Sequence, residues 1–273
     1  MYGLVIAFKD YKITRGIDGS NWSNPWYKWF LNFFTDPYFG RLLKNTFMIS
    51  GLTILFGFPA PIILALMINE VKNSAFKRTV QTITYMPYFI SMVVMCGLLK
   101  TFCMQDGLFS QIAMAFGGSG QNFLANPDYF RTIYVLSDIW SGIGWNSIIY
   151  LAALSSIDQE QYEAARVDGA NRFKQMIHIT LPGLVPTIMV LFILRMGNIL
   201  NVGYEKILLL YNSATYITAD VISTYTYRLS FGGSGNPMYS KSTAIGLFNT
   251  IINVFFLMLT NMISKKATDA GLF

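Results

Sequence analysis

The sequence predicts an all-α polytopic membrane protein, with five complete spans preceded by the remnant of a first span. Two observations carry that prediction. Only 12% of the 273 residues are charged while 53% are hydrophobic, against about 25% charged in an average soluble domain. A soluble chain of this length buries a large core but still needs a charged exterior. Here the apolar residues come instead in long blocks, and a helix needs about 20 such residues to cross a bilayer. The formal charge of +6 is scattered through short loops with no basic stripe, which suits anionic headgroups better than nucleic acid. Cys96 and Cys103 share one apolar run. On a helix they stand about 10 Å apart along the axis, too far for a disulfide. Neither sits in a metal-type cluster, and both are read as core residues.

Residues 1–8 are apolar but far too short to span, and they lack the basic start and cleavage site of a signal peptide. They read as the last turns of a helix. Residues 9–40 form a loop punctuated by Gly16, Gly19, Pro25 and Pro37. Trp26, Trp29, Phe30 and Phe33 share a helical face there and are expected to anchor at the membrane interface. The first complete span, 42–68, contains Pro59 and Pro61, tolerated where neighbours satisfy the freed carbonyl groups, and a kinked helix is expected. A short basic loop leads to a second span, 79–102, with Pro87 near its middle.

Residues 104–131 are expected to be loop. Phe116-Gly117-Gly118-Ser119-Gly120 lies in it, and the same five letters recur at 231–235. Neither copy continues into the Gly-Lys-Ser/Thr of a phosphate-binding loop. Both are read as flexible turns, and the chain shows no ATP site of its own. The third span, 132–154, places Asp138, Gly142, Trp145 and Ile149 on one face. The fourth, 182–202, holds Arg195, Asn198 and Asn201; a tyrosine-rich loop, 203–240, precedes the last span, 243–263, and the tail 264–273.

Between the third and fourth spans lies a polar, Ala-rich island. Residues 158–167 have helical composition, with acids near the start where a helix dipole favours them. Gly169 permits a turn that residues with a Cβ resist. From Arg172 a second helical pattern runs through Phe173, Met176, Ile177 and Leu181, and Pro182 ends it or opens the next helix. The string Glu163-Ala164-Ala165, Asp168-Gly169-Ala170, then Phe173 and Leu181-Pro182 with Pro186, closely resembles the EAA loop of binding-protein-dependent ABC importer permeases. The resemblance covers essentially the whole chain. Trp140 to Trp145, Ile148 to Leu154, Leu200 to Tyr204, Leu208 to Asn212 and Thr243 to Phe248 are similar to the oligosaccharide and polysaccharide branch. Tyr2 to Tyr11 matches the end of that family's first transmembrane helix.

The resemblance implies a type I permease-like helical bundle in the cell membrane. The loop 156–181 would face the cytoplasm, with 9–40 outside, 41–263 the transmembrane domain and 264–273 a cytoplasmic tail. Lysine and arginine counts on the two sides are close, so orientation rests on the resemblance. The implied partners are a second homologous permease, a cytoplasmic ABC ATPase dimer that binds ATP and Mg, an extracytoplasmic solute-binding protein, and a sugar substrate. This chain itself is expected to bind no cofactor or metal and to have no catalytic residue. Glu163, Ala164, Ala165, Asp168, Gly169, Ala170, Leu181 and Pro182 are the residues implied to couple ATPase closure to the spans.

A substrate path is expected to draw on Asp138, Trp140, Trp145, Asn146, Arg195, Asn198, Asn201 and Tyr204. Ionisable groups within spans face a cavity or a partner, and Asp138 and Arg195 are candidates to pair with each other. The aromatic and amide groups suit sugars, which need stacking and hydrogen bonding together. A permease for an amino acid, peptide or phosphate is the alternative of the same fold, and a membrane scaffold the alternative of another class. An intramembrane enzyme is disfavoured: His178 is the one histidine, and no H-E-x-x-H, G-x-S-x-G or Cys/His cluster accompanies it.

Overall fold

A computed structural model of the chain describes residues 2–232, 237–268 and 271–272. The repeated glycine run at 233–235 and part of the tail lie outside the described residues. Among those described there is no strand, only two isolated bridges, Lys9 to Trp22 and Lys12 to Gly16. Four helical segments are long and apolar enough to cross a membrane: Phe39–Glu70, Met92–Ala115, Arg172–Met196 and Tyr239–Lys266. Two of them contain the first and last expected spans, whereas the fourth, expected over 182–202, stops at Met196, where Gly197 closes the helix. The third expected span, 132–154, lies in the helix Pro127–Ser155. Its 29 residues reach about 43 Å, but Asp138, Asn146 and two tryptophans leave it less apolar than the other four.

The second span departs from expectation. The helix Ser74–Tyr85 ends at a 3-10 turn, Met86–Phe89, and the chain starts a new helix at Met92–Cys103. Pro87 has no N–H to continue the ladder, and Ser91 caps the new start by accepting the Val94 N–H at 3.3 Å. Residues 104–131 are also not simply loop, because Gly107 joins Met92–Cys103 to a further helix, Leu108–Ala115. Prolines leave another mark within Phe39–Glu70 and Arg172–Met196. Five-residue π-turns, Thr53–Gly57 and Met176–Thr180, stand immediately before Pro59–Glu70 and Leu181–Met196. A widened turn accommodates the carbonyls that a following proline cannot bond.

The chain divides into two compact units. The first comprises residues 1–51, 91–134 and 199–255. Its apolar core gathers Phe33, Leu42, Ile222, Tyr225 and Ile245, with Phe33, Phe34, Phe39 and Phe248 in edge-to-face and tilted ring contacts at 5.0–5.9 Å. Phe33 is therefore a core residue and not an interfacial anchor. Trp29 and Phe30 are also engaged internally, Trp29 donating to the Lys9 carbonyl at 3.1 Å and Phe30 packing on Phe8. Of the four expected anchors, Trp26 alone stays largely exposed. Tyr2–Phe8, expected as closing turns of a spanning helix, winds as 3-10 turns. The Lys9 carbonyl that follows accepts from Ser240 at 2.6 Å.

Charge is handled inside this unit. Asp220, fully buried, accepts from Arg41 at 3.2 Å and from Arg228 Nη2 at 2.9 Å. Arg228 Nη1 stands 2.8 Å from its other oxygen, close enough for an ion pair but at an angle that makes no second hydrogen bond. Asn45 donates to the Asp220 and Ile217 carbonyls and accepts from Arg131 at 2.8 Å. Lys206, also buried, donates to the Tyr134 carbonyl at 2.9 Å. The described part of the segment expected as loop, 203–232, is not open chain. It folds as the helices Tyr204–Leu210, Tyr216–Ala219 and Ile222–Phe231.

Asp36 is a second ionic centre of this unit, with Lys241 at 2.6 Å and the Tyr225 hydroxyl donating to it. Burial by itself raises the Asp36 carboxyl, but the hydrogen bonds from Lys241 and Tyr225 outweigh it and hold the group below its ordinary value. A carboxylate depressed in the folded state adds stability above its unfolded pKa and loses it as pH falls through the folded value. The expected result is a loss of thermal stability below about pH 4 that shrinks in Asp36→Asn, measured by unfolding of the purified protein across an acid series.

The second unit comprises residues 52–90, 135–198 and 256–273. Ile62, Ala65, Tyr150, Leu154 and Leu184 form its core, joining Pro59–Glu70, the end of Pro127–Ser155 and the start of Leu181–Met196. Gly144 lies against the end of Ser74–Tyr85, where a Cβ would collide with the backbone carbonyl of Thr84. Backbone cannot swing aside as a side-chain tip does. Gly144→Ala is expected to cost about 1–3 kcal/mol, seen as a lower unfolding temperature in detergent, whereas Gly51→Ala meets open space and should be neutral.

Candidate functional site

The candidate docking loop belongs wholly to the second unit. Asp158 opens it, its carboxylate accepting the Glu160 N–H at 3.0 Å, and the helix Gln159–Val167 follows. That helix closes in a paired C-terminal motif. The Ala170 N–H reaches the Ala165 carbonyl at 2.8 Å and the Gly169 N–H reaches Arg166 at 3.1 Å. Gly169 takes φ +77°, with open space where a Cβ would sit. Glycine is therefore required for backbone reasons and not for packing. Asn171 at once caps the next helix, accepting the Lys174 N–H at 2.9 Å. Arg172–Gln175 then runs through the π-turn into Leu181–Met196, with Pro182 in its opening turn. Of the two roles expected of Pro182, it takes the second and opens the helix.

Two contacts fix the second arm. Tyr162 and Thr180 share a hydrogen bond at 3.0 Å, and Arg172 reaches Glu70 at 3.4 Å. The outward side is left bare. Glu163, Ala164, Asp168 and Gly169 are exposed, and Ala165 and Ala170 are half-buried. Val167 is 88% and Phe173 64% exposed, and both stand beside the bend. Apolar side chains held that far into solvent on a capped, ordered loop mark a contact surface. Neither cap partner nor the Arg172 to Glu70 pair was read from the sequence, although Asp-Gly-Ala-Asn already carried the turn and cap residues.

The expected substrate-path residues divide between the units. Asn201 and Tyr204 lie in the first, the other six in the second. Tyr204 stacks on Tyr227 at 5.4 Å. In the second unit Trp145 lies flat on Tyr88, with ring centroids 4.7 Å apart and planes within 6°, while Phe89 meets it edge-on at 5.6 Å. Tyr88 and Phe89 sit in the 3-10 turn made by Pro87. They were missed because 79–102 reads as an unbroken span; a proline at its middle was the available signal. Trp140 and Asn146 are exposed on the same helix as Trp145, and Asp138 is half-buried there. Asn198 donates to the Leu194 carbonyl at 3.1 Å. Arg195 is exposed.

The family profile described as "Binding-protein-dependent transport system inner membrane component" matches residues 57–269. Protein LplB of Bacillus subtilis is 43% identical over 100% of this chain and 85% of its own length. The polygalacturonan/rhamnogalacturonan transport system permease protein YteP of the same organism is 42% identical over 100% and 84%. A chain in the crystal structure of a bacterial alginate ABC transporter, in complex with the alginate pentasaccharide-bound periplasmic protein, superposes with a TM-score of 0.89 at 44% identity. That alignment covers 99% of this chain and 88% of the other.

Proposed function

The chain belongs to the binding-protein-dependent transport system inner membrane components, and from that premise we propose that it is the permease subunit of an ATP-driven sugar importer, with oligosaccharides as substrates. It is a multi-pass protein of the cell membrane. A second permease would complete the path and an extracytoplasmic solute-binding protein would deliver the sugar. ATP and Mg would be held by a cytoplasmic ATPase dimer and not by this chain.

The observation that carries the mechanism is the bare outer side of 158–175. Its first helix ends in a glycine bend and its second arm continues into an apolar segment without interruption. A cleft in the ATPase would receive Ala164, Ala165, Val167 and Phe173, and Glu163 would meet a basic or backbone donor there. Closure of the ATPase then displaces a short rigid body. The Tyr162 to Thr180 bond and the core around Leu184 and Tyr150 pass that displacement to the membrane helices. The stacked Trp145 and Tyr88, with Trp140 and Asn146 nearby on the same helix, offer the aromatic faces and amides that a sugar ring requires.

The test is co-expression with the neighbouring permease, the ATPase and the binding protein, followed by uptake of labelled oligosaccharide in vesicles. Uptake should need ATP and the binding protein, and acidic and neutral oligosaccharides should compete where amino acids, peptides and phosphate do not. Uptake competed only by a non-sugar solute would move the chain to the other substrate class. Absence of any ATPase partner would leave a scaffold.

A further inference from the structure

Within the second unit a cleft of about 750 Å³ opens between the end of Pro59–Glu70 and the inner side of the docking loop. Its volume is in the range of small-molecule sites, and the docking role of the loop's outer side does not use it. The charged groups on its walls are Glu70, Lys72, Arg166 and Arg172. Arg172 and Glu70 compensate each other at 3.4 Å across one side. Lys72 and Arg166 are exposed, and among the described residues neither makes an ion pair. Among the described residues, two cations without an acidic partner therefore line one cavity whose one acid, Glu70, is already paired. Neutral donors accompany them. Asn171 spends its carbonyl on the Lys174 N–H, so its Nδ2 is the donor it brings to the cleft, and Gln159 adds a second amide.

We infer that this cleft is a binding site for a phosphate-bearing anion, seated between Lys72 and Arg166. The chemistry is that of paired cationic donors on phosphate oxygens, with Arg166 able to offer two parallel N–H groups and Lys72 a point charge. A basic pocket beside membrane helices on the cytoplasmic side suits an anionic lipid headgroup, and a soluble phosphate compound presents the same oxygens. That placement rests on the orientation in the proposed function. The walls of the cleft are the docking helix and the end of a membrane segment, so an occupant ties the loop to the helices it moves. Occupancy would thereby set how firmly ATPase closure is transmitted.

The test uses the full chain with its permease partner in nanodiscs of zwitterionic lipid. In one arm phosphatidylglycerol is doped in and retained lipid is counted by native mass spectrometry. In the other, radiolabelled inorganic phosphate is titrated against chloride at constant ionic strength. Wild type should retain the anion in at least one arm. Lys72→Gln with Arg166→Gln should lose it by about tenfold or more, while Lys77→Gln, a basic residue outside the cleft, should keep it. Retention in the lipid arm alone makes the headgroup the ligand, and in the phosphate arm alone a soluble anion. Lys72→Arg with Arg166→Lys keeps the charges and should bind, which separates lost charge from lost folding. The inference is overturned if wild type retains neither anion, if Lys77→Gln loses as much as the cleft variants, or if the charge-conserving pair fails to bind in an assembled transporter. ATPase capture is scored separately, so failure of the importer reading shows as lost capture with anion binding intact.

Discussion

Asp220→Ala is expected to be the most destabilising single change in the chain, by about 3–5 kcal/mol. The carboxylate is wholly buried, and Arg41 and Arg228 direct their guanidinium groups at it. Thr224 donates to it as well, at 2.8 Å. Removing the acid leaves two cations facing each other with less than a third of either side chain exposed. Repulsion and lost pairing act together there. Asp220→Asn keeps the shape and part of the hydrogen bonding but not the charge, and should fall between. Adding Arg228→Leu to Asp220→Ala removes one stranded cation and should restore part of the loss. Thermal unfolding of the purified protein in detergent reads all three. A value for Asp220→Ala close to that of an exposed substitution would mean that the network is decoration on a core held by Phe33, Leu42 and Ile245.

Glu163→Lys should abolish capture of the ATPase while leaving the fold intact. The side chain is exposed and makes no ion pair among the described residues, so reversal disturbs no internal pair there. Its whole effect falls on a partner. A charge-assisted hydrogen bond becomes a like-charge contact in a desolvated cleft, a change on the order of 2–5 kcal/mol or more, which takes co-purification below detection. Gly169→Pro should uncouple by another route. Proline fixes φ near −65° where the bend needs +77°, so the two arms lose their angle and stimulated ATP hydrolysis no longer drives uptake. The unfolding temperature of Glu163→Lys should match wild type. If Glu163→Lys still captures the ATPase and supports uptake, the 158–175 surface is not the docking site.

Much of the docking loop was legible because its instructions are local. Acids at a helix start, a glycine that alone tolerates a left-handed backbone, and a proline suited to an opening turn act within a few residues of themselves. The observed helix, bend and second helix follow that reading closely. The membrane class was legible for a similar reason, since few charges and long apolar blocks are properties of composition. The second span failed because hydropathy averages over a window, and a single proline in an apolar run hardly moves the average while breaking the ladder at Met86–Phe89.

The sequence by itself determined that this is a helical membrane protein bearing the EAA loop of an importer permease, and where that loop bends. Only the tertiary structure decided what becomes of the charges and rings outside it. Asp220 and Arg41 are 179 positions apart, and Asp36 and Lys241 are 205. Nothing local shows that such groups neutralise one another, so 203–240 read as a loop. Trp145 was named from the sequence as a substrate-path residue, but its partner Tyr88, lying flat against it, was not. The physical reason is the same in each case. Local conformation depends on neighbours in the chain, whereas burying a charge or stacking a ring depends on partners that only folding brings within reach.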